Sequence, residues 1–327
     1  MFTGLFFNFT FYRILKMRLL RGFSNLPTFS NGSVLTIGNF DGVHLGHRAV
    51  IEMLATRGRE FNLPTVIMLF EPQPLEYLLA DNAPSRLMRL REKILALREL
   101  PIDNVMIVRF DRTLANYEPE EFITHILVQK LNIKHLVIGD DFHFGKARRG
   151  NFNLLKQHGE KQGFTVEKSM SYRLEDMRVS STRIRDALNA DDLQQAKQFL
   201  GDNYSICGRV SQGHKLGRTL GFPTANIEML RQNAPIRGVF AVTMTGIDNQ
   251  ILQGVANVGI RPTVTGVDEV ILEVHLFDFN QDIYGHYVSV QFKQKLRHEM
   301  RFSSLEQLQT QIKLDVETAK AFFEYEK

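Results

Sequence analysis

Apolar residues follow two patterns along this chain, and the change comes near residue 201. Before it, short unbroken apolar runs alternate with stretches of helical spacing. Ser33 to Gly38 (SVLTIG), Thr65 to Phe70 (TVIMLF), Asn104 to Arg109 (NVMIVR) and His135 to Gly139 (HLVIG) have the length and composition of buried strands. Between them, Leu45 to Arg59 carries Val50, Met53 and Leu54 on one helical side, and Arg89 to Leu100 has helical spacing. Pro119 to Leu131 opens with acidic residues, which complement a helix N-terminus. The alternation predicts an α/β domain, a parallel sheet with helices on both faces, preceded by a strand and loop at MRLLRGFSNLP. One more helix is expected over Thr182 to Gly201, where Ala187, Leu188, Leu193, Ala196 and Leu200 recur. After Tyr204 the runs shorten and alternate: GVFAVTM, QILQGVANVG, EVILEVHLFDF and YVSVQFKQKLR, separated by Gly, Asn and Asp. That predicts a small antiparallel barrel or sandwich, closed by a helix over Leu305 to Glu324. The expected domains are 17–200 and 201–327, with 1–16 set apart.

Composition narrows the class. The chain has 327 residues, 43% hydrophobic and 23% charged, ordinary for two globular domains. Its net charge of +4 comes from 40 basic and 36 acidic residues, without a basic block that would mark a nucleic-acid arm. The single cysteine, Cys207, excludes an intramolecular disulfide and any multi-cysteine metal cluster, and suits a reducing cytoplasm. The opening MFTGLFFNFTFYRILK has its charge after the apolar run, unlike a secretory signal, and Asn8, Thr10 and Arg13 interrupt it as a span. The expectation is an upstream extension with translation starting at Met17. An amphipathic membrane-surface segment is the alternative.

Two glycine-rich motifs carry the chemistry. In GNFDGVHLGH (Gly38 to His47), two imidazoles three residues apart share a helix face in its first turn. Gly42 and Gly46 leave room for an anion at free backbone N–H groups. Imidazoles there can donate to phosphoryl oxygens as charge builds up. The alternatives are two helix-start histidines without a task and a metal pair, which lacks a third ligand at a convincing spacing. SSTRIR (Ser180 to Arg185) adds hydroxyls for an N-cap, with Arg178, Arg183 and Arg185 as phosphate-binding cations. A plainly capped helix with solvated arginines is the competing reading.

The second motif is GHKLGRTLGFPTAN (Gly213 to Asn226). Gly213, Gly217 and Gly221 permit close backbone approach to phosphate, and Lys215 and Arg218 add charge, although the Walker A spacing is absent. Thr224 and Asn226 alternate onto one side of a strand, where a hydroxyl and an amide oxygen can hold Mg²⁺. A turn-rich hairpin without a ligand fits equally well. Glu273, within EVILEVHLF, either points outward by alternation, as His275 would, or serves as a general base tuned by partial burial.

GNFDGVHLGH, FEPQPLEYL, IGDDFHFGKARRGN and VSSTRIRDAL resemble the adenylyltransferase half of bacterial bifunctional riboflavin kinase/FAD synthetases. GRVSQGHKLGRTLGFPTANI, GVFAV, GVANVGIRPTV, LEVHLFDFNQDIYG and KLRHEMRFSSLEQLQTQIKLD resemble the riboflavin kinase half, in that family's order. The resemblance implies a Rossmann-like nucleotidyltransferase domain followed by a kinase barrel, and two ATP-dependent reactions: riboflavin to FMN with release of ADP, then FMN to FAD with release of pyrophosphate. It implies that Gly38, Phe40, Asp41, Gly42, His44, Gly46 and His47 bind ATP with Arg178, Ser181, Thr182 and Arg185, the two histidines being catalytic. It places Asp141, Phe142 and Phe144 near FMN. Asp141 is a departure, since some relatives carry Asn there, and a carboxylate beside phosphate needs Mg²⁺ or Arg148 next to it. In the kinase half it implies ATP at Gly213, Lys215, Gly217, Arg218, Thr224 and Asn226, with Mg²⁺ on the last two. Glu273 would activate the ribityl hydroxyl, and the segment around Arg297 would cover the flavin. Small molecules are the expected partners, with no nucleic acid and no membrane.

Overall fold

The computed structural model describes residues 17–24, 26–27, 29–213, 216–231, 233–261 and 269–325. The expected extension at 1–16 lies outside them. The described residues form two compact units. One comprises those up to Asn39, with Ala49–Tyr77 and Ile94–Met170; the other comprises Phe40–Arg48, Leu78–Lys93 and those from Ser171 onward.

The first unit is built on one parallel sheet. Its strands are β1 (Arg18–Arg21), β2 (Ser33–Ile37), β3 (Thr65–Glu71), β4 (Asn104–Arg109), β5 (Ile133–Gly139) and β6 (Thr165–Ser169), in the order β1-β4-β3-β2-β5-β6. The four apolar runs are its centre, as strands covered on both faces must be. Helices cover both faces. Leu136 and Ile138 pack with Phe122, Ile126 and Leu127 on one side. On the other, the Phe61 ring lies 5.2 Å from that of His135, and Arg57 reaches Glu167 through two hydrogen bonds of 2.7 Å. The edge strand β6 (TVEKS) has one buried residue, Ser169, so no apolar run announced it. The helix expected over Pro119 to Leu131 is α-helical only at Pro119–Glu121. Phe122–Lys130 then winds with the wider π spacing, and Leu131 N–H donates to Ile126 O. The strand order reverses at β2, which lies between β3 and β5. Open α/β sheets bind ligands beyond the carboxyl ends of strands at such a switch point. Gly38 leaves β2 there, and Asp140 leaves β5.

The second unit holds a closed antiparallel barrel. Before it comes a short ribbon, β7 (Arg173–Leu174) with β8 (Met177–Arg178). The barrel strands are β9 (Ser205–Ser211), β10 (Ala225–Glu228), β11 (Gly238–Ile247), β12 (Gln250–Arg261), β13 (Glu269–Leu276) and β14 (Tyr287–Arg297), ordered β10-β13-β12-β11-β14-β9. Alternation sorts their side chains. Phe240, Val242, Leu272, Val274, Val290 and Phe292 fill the interior. Val239, Ala241 and Val255 point outward and are covered by Ala319 and Phe323 of the helix Leu305–Tyr325. The single helix expected over Thr182 to Gly201 is two, Ser181–Asn189 and Leu193–Leu200. Asp191, at φ 64°, breaks it, and the Asp192 carboxylate restarts it by accepting from Gln195 N–H at 2.8 Å.

Candidate active sites

The FDGVH segment of the first motif is buried, with Phe40, Asp41, Val43 and His44 each under 5% exposed. Two of its non-glycine residues, Phe40 at φ 48° and Val43 at φ 40°, adopt left-handed backbone, as does Gly42 at φ 89°. Such conformations persist only where the surroundings over-determine them. A Cβ on Gly42 would lie 2.9 Å from Leu87, and one on Gly46 would lie 3.1 Å from His44. The His44 and His47 rings stack at 3.6 Å, and Phe40 flanks His47 at 4.9 Å. His47 N–H donates to His44 Nδ1 at 3.2 Å, which leaves the His44 proton on Nε2. Both imidazoles are held neutral. Burial pushes His44 down to about 4, against the pull of Asp41. Burial also holds His47 well below its ordinary value, helped by His44 and the buried Lys93. His47 Nδ1 is buried without a hydrogen-bond partner. Stacked neutral rings donate through N–H rather than through a full charge.

The distant SSTRIR segment meets this loop within the same compact unit. Ser181 Oγ donates to Asp41 O at 2.8 Å, and Arg185 Nη2 binds the Asp41 carboxylate at 2.6 Å. Arg185 Nε also donates to Ser85 O at 2.6 Å. The other two Asp41 donors are the backbone N–H groups of Leu87 and Met88, both at 3.0 Å. Asp41 and Arg185, both expected at the triphosphate, are thus bound to each other, and both Asp41 oxygens have protein donors. Ser180 Oγ accepts from Arg183 N–H at 3.3 Å, capping the helix as its sequence implied. Thr182 is exposed in its first turn, and Arg178 lies half-buried on β8.

In the first unit, the DFHFG loop follows β5. Asp141 is exposed, and its carbonyl accepts from His143 Nδ1 at 2.9 Å. Phe142 stacks on Phe144 at 5.7 Å. Phe144 itself is buried against Phe122 and belongs to the hydrophobic core. Gly150 lies flat on its ring, where a Cβ would come within 2.7 Å. Of the three residues expected at FMN, Phe144 therefore has a packing task, while Asp141 and Phe142 are the more open pair.

The second motif borders a cavity of about 530 Å³ on the outside of the barrel. Thr224, Asn226, Glu273, Arg297 and Gly217 all line it, together with Asn257, Arg261, His275, Glu299 and Asp315. The two readings of Glu273 converge. It does point outward by alternation, since its neighbours Leu272 and Val274 are interior, and outward is where the cavity lies. Sheet register puts Glu273 directly opposite Asn226 on β10 and Asn257 on β12. Its carboxylate accepts from Arg261 Nη2 at 3.1 Å. A Cβ on Gly213 would lie 2.2 Å from the Asn226 amide, and one on Gly217 would lie 2.4 Å from Phe222 O. Arg297 grips Asp315 through Nε at 2.9 Å and Nη2 at 2.8 Å, fastening the last helix to β14. Lys215 and the Arg218 side chain lie outside the described residues. Asn257, Arg261, Glu299 and Asp315 escaped the sequence reading. Only the period-2 pattern of β12 could have pointed to the first two.

The FAD synthetase family model matches residues 26–183 of the chain, and the riboflavin kinase family model matches residues 200–323. The bifunctional riboflavin kinase/FMN adenylyltransferase of Haemophilus influenzae is 52% identical over 307 residues, spanning 94% of this chain and 99% of that protein. The protein of the same name from Escherichia coli K12 is 48% identical over 308 residues, spanning 94% and 98%. A solved structure described as a macrolide-efflux protein from Streptococcus pneumoniae superposes with a TM-score of 0.79 at 30% identity, covering 93% of this chain and 99% of its own.

Proposed function

The chain belongs to the bifunctional riboflavin kinase/FMN adenylyltransferase family, and from that premise we propose how its residues divide the two reactions. It phosphorylates riboflavin to FMN with ATP, and it adenylylates FMN with ATP to give FAD. We assign adenylylation to a domain over 17–200 and phosphorylation to one over 201–327.

In the kinase reaction Glu273 takes the proton of the ribityl 5′-hydroxyl as that oxygen bonds to the γ-phosphorus of ATP and ADP leaves. The observation that carries this is the side-by-side register of Asn226, Glu273 and Asn257 beneath one cavity. Arg261 keeps the carboxylate aimed. Arg297 and Asp315 hold the last helix and the 298–302 segment as the far wall, over the flavin. Gly213 and Gly217 let phosphate lie against backbone, with Lys215 and Arg218 as its cations.

Mg²⁺ fits this site. Thr224 and Asn226 offer hard oxygens beside a carboxylate, and the absent Cβ of Gly213 leaves the Asn226 amide uncovered. No group of three acidic, His or Cys residues that could hold a metal occurs among the described residues. This suits an ion that takes few protein ligands and completes its shell with water and phosphate. When bound, Mg²⁺ neutralises phosphate charge.

In adenylylation a phosphate oxygen of FMN bonds to the α-phosphorus of ATP while the bond to pyrophosphate breaks. His44, through Nε2–H, and His47 donate to the phosphoryl oxygens as charge grows. Being neutral and packed, they need no reorganisation. Ser181, Thr182 and Arg178 complete the phosphate cradle with Phe40, Gly42 and Gly46. Asp41 and Arg185 fix the loop against the Ser181–Asn189 helix. Asp141 and Phe142 meet FMN. The partners are these small molecules, and the compartment proposed from the single cysteine, Cys207, is the cytoplasm. No helix among the described residues is long and apolar enough to cross a membrane.

A time course of riboflavin with Mg-ATP, resolved by chromatography, tests the scheme. FMN appearing first and FAD second supports it. FMN without FAD, also when FMN is supplied, overturns the assignment of the HxGH site.

A further inference from the structure

Arg231 stands just beyond β10, the strand that carries Asn226, and inside the segment matched by the riboflavin kinase model. Its side chain is only 2% exposed. A guanidinium so deeply buried needs a purpose, because desolvation is costly and its Nε has no hydrogen-bond partner. Among the described residues, none of its hydrogen bonds is to a residue lining the cavity that holds Glu273. Nη2 binds Glu92 at 2.6 Å, and Nη1 donates to Tyr204 Oη at 2.9 Å. Nη1 also reaches the carbonyls of Arg86 at 3.3 Å and Leu87 at 3.4 Å, and Tyr204 Oη donates to Leu87 O at 3.2 Å. The Glu92 carboxylate is completed by the backbone N–H groups of Cys207 at 2.7 Å and Arg89 at 2.5 Å.

The strip Ser85–Met88 is thus held from two sides. Its carbonyls at 86 and 87 face Arg231 and Tyr204. Its N–H groups at 87 and 88 face the Asp41 carboxylate in the middle of the FDGVH loop. All of these residues lie in one compact unit. Two left-handed non-glycine residues flank Asp41, so the loop shape depends on what grips that carboxylate.

We propose that Arg231, with its counter-ion Glu92, is a positioning residue for FMN adenylylation, although it lies in the kinase half of the chain. It acts through the Ser85–Met88 strip on Asp41, and so on His44 and His47. Loosening the carbonyl side of the strip lets its N–H side drift, and the phosphate loop drifts with it. Displacements of an ångström at a positioned site cost up to about a hundredfold in rate. The inference rests on the assignment of the HxGH loop to adenylylation.

The experiment uses full-length wild type, Arg231→Met, Arg231→Lys and the double variant Glu92→Met with Arg231→Met. FAD formation from supplied FMN is followed across ATP concentrations, and riboflavin phosphorylation is followed in parallel. R231M is expected to raise KM for ATP in FAD formation about tenfold, with riboflavin phosphorylation within about twofold. R231K, which keeps the charge but not the fork of donors, falls between. The double variant removes the uncompensated Glu92 charge and regains thermal stability, yet keeps the raised KM because neither carbonyl regains its Arg231 donor. Leu127→Ala, a substitution in the first unit's core cluster, which contains no residue of the strip, serves as the destabilised control and leaves KM for ATP unchanged. Equal loss of both activities in R231M and R231K, or an unchanged KM in either folded variant, overturns the proposal. Wild type that makes no FAD from FMN overturns the functional reading beneath it, which the variants alone would not do.

Discussion

The two phosphate-handling regions are built on opposite plans. At the FDGVHLGH loop both oxygens of the one carboxylate have protein donors. The imidazoles are stacked, His44 buried and His47 half-buried, and Asp41 is closed off by three donors and the Ser181 hydroxyl at its carbonyl. At the barrel cavity, Thr224 just before β10, Asn226 on it and Glu273 on β13 border open space, with Arg261 the one charged partner of Glu273 among the described residues. The first site is held together by protein groups alone. On the proposed reading, the second is an unfinished surface whose remaining ligands would come with the nucleotide. A donor site for developing charge gains from preorganisation, whereas a metal–nucleotide site gains from vacant coordination.

Four measurements break or sharpen this contrast, taken from the largest expected effect to the smallest. Glu273→Gln removes the proposed base from the open site and should cut FMN formation by about 10²–10⁴-fold, while FAD formation from supplied FMN continues; parallel loss of both would dissolve the division of labour. His47→Ala takes a donor from the closed site and should lower FAD formation by about 10²–10³-fold while FMN formation stays intact, read in the same chromatographic assay.

The third concerns acid. The folded pKa of His44 is depressed to about 4 from an ordinary 6.5, so the unfolded chain binds the proton more readily. Its contribution is complete above pH 6.5 and is lost as pH falls through 4, amounting to about 3 kcal/mol. Denaturant unfolding across that window should show the loss, and His44→Asn should flatten it. An unchanged slope in the variant would mean the buried pair does not set acid stability. The smallest effect is expected from Gly213→Ala, whose Cβ would press on the Asn226 amide at 2.2 Å. It should raise the kinase KM for Mg-ATP about tenfold, a few ångströms from the chemistry being enough to matter. An equal rise in FAD formation would show that the open site is not separate.

Much of this was legible in the sequence. Apolar runs marked the central strands β2 to β5, and alternation marked the barrel. HxGH and SSTRIR were matched across 130 residues of chain on chemical grounds, and the loop and helix start do meet through Ser181 and Arg185. What stayed hidden has physical reasons. Asp41 is gripped by backbone N–H groups, which carry no side-chain identity. The break at Asp191 was masked because the apolar spacing of Leu188, Leu193 and Ala196 runs straight through it. β6 is an edge strand with polar faces. Asp315 meets Arg297 from a helix 18 residues on, a pairing fixed by packing rather than by any local pattern. The resemblance places Phe144 near FMN, and its packing against Phe122 depends on core neighbours that no local motif reveals.

The outward placement of the barrel site has a consequence for how such a protein can change. Along β13 the residues at 270, 272, 274 and 276 hold the fold, and those at 273 and 275 hold the cavity. Heritable variation therefore falls into two nearly separate registers by parity alone. Substitutions at one set are filtered by whether the chain survives, and those at the other by what it transforms. A lineage can drift in substrate preference without eroding the scaffold, and a library confined to the outward parity would explore new acceptors at little risk to folding.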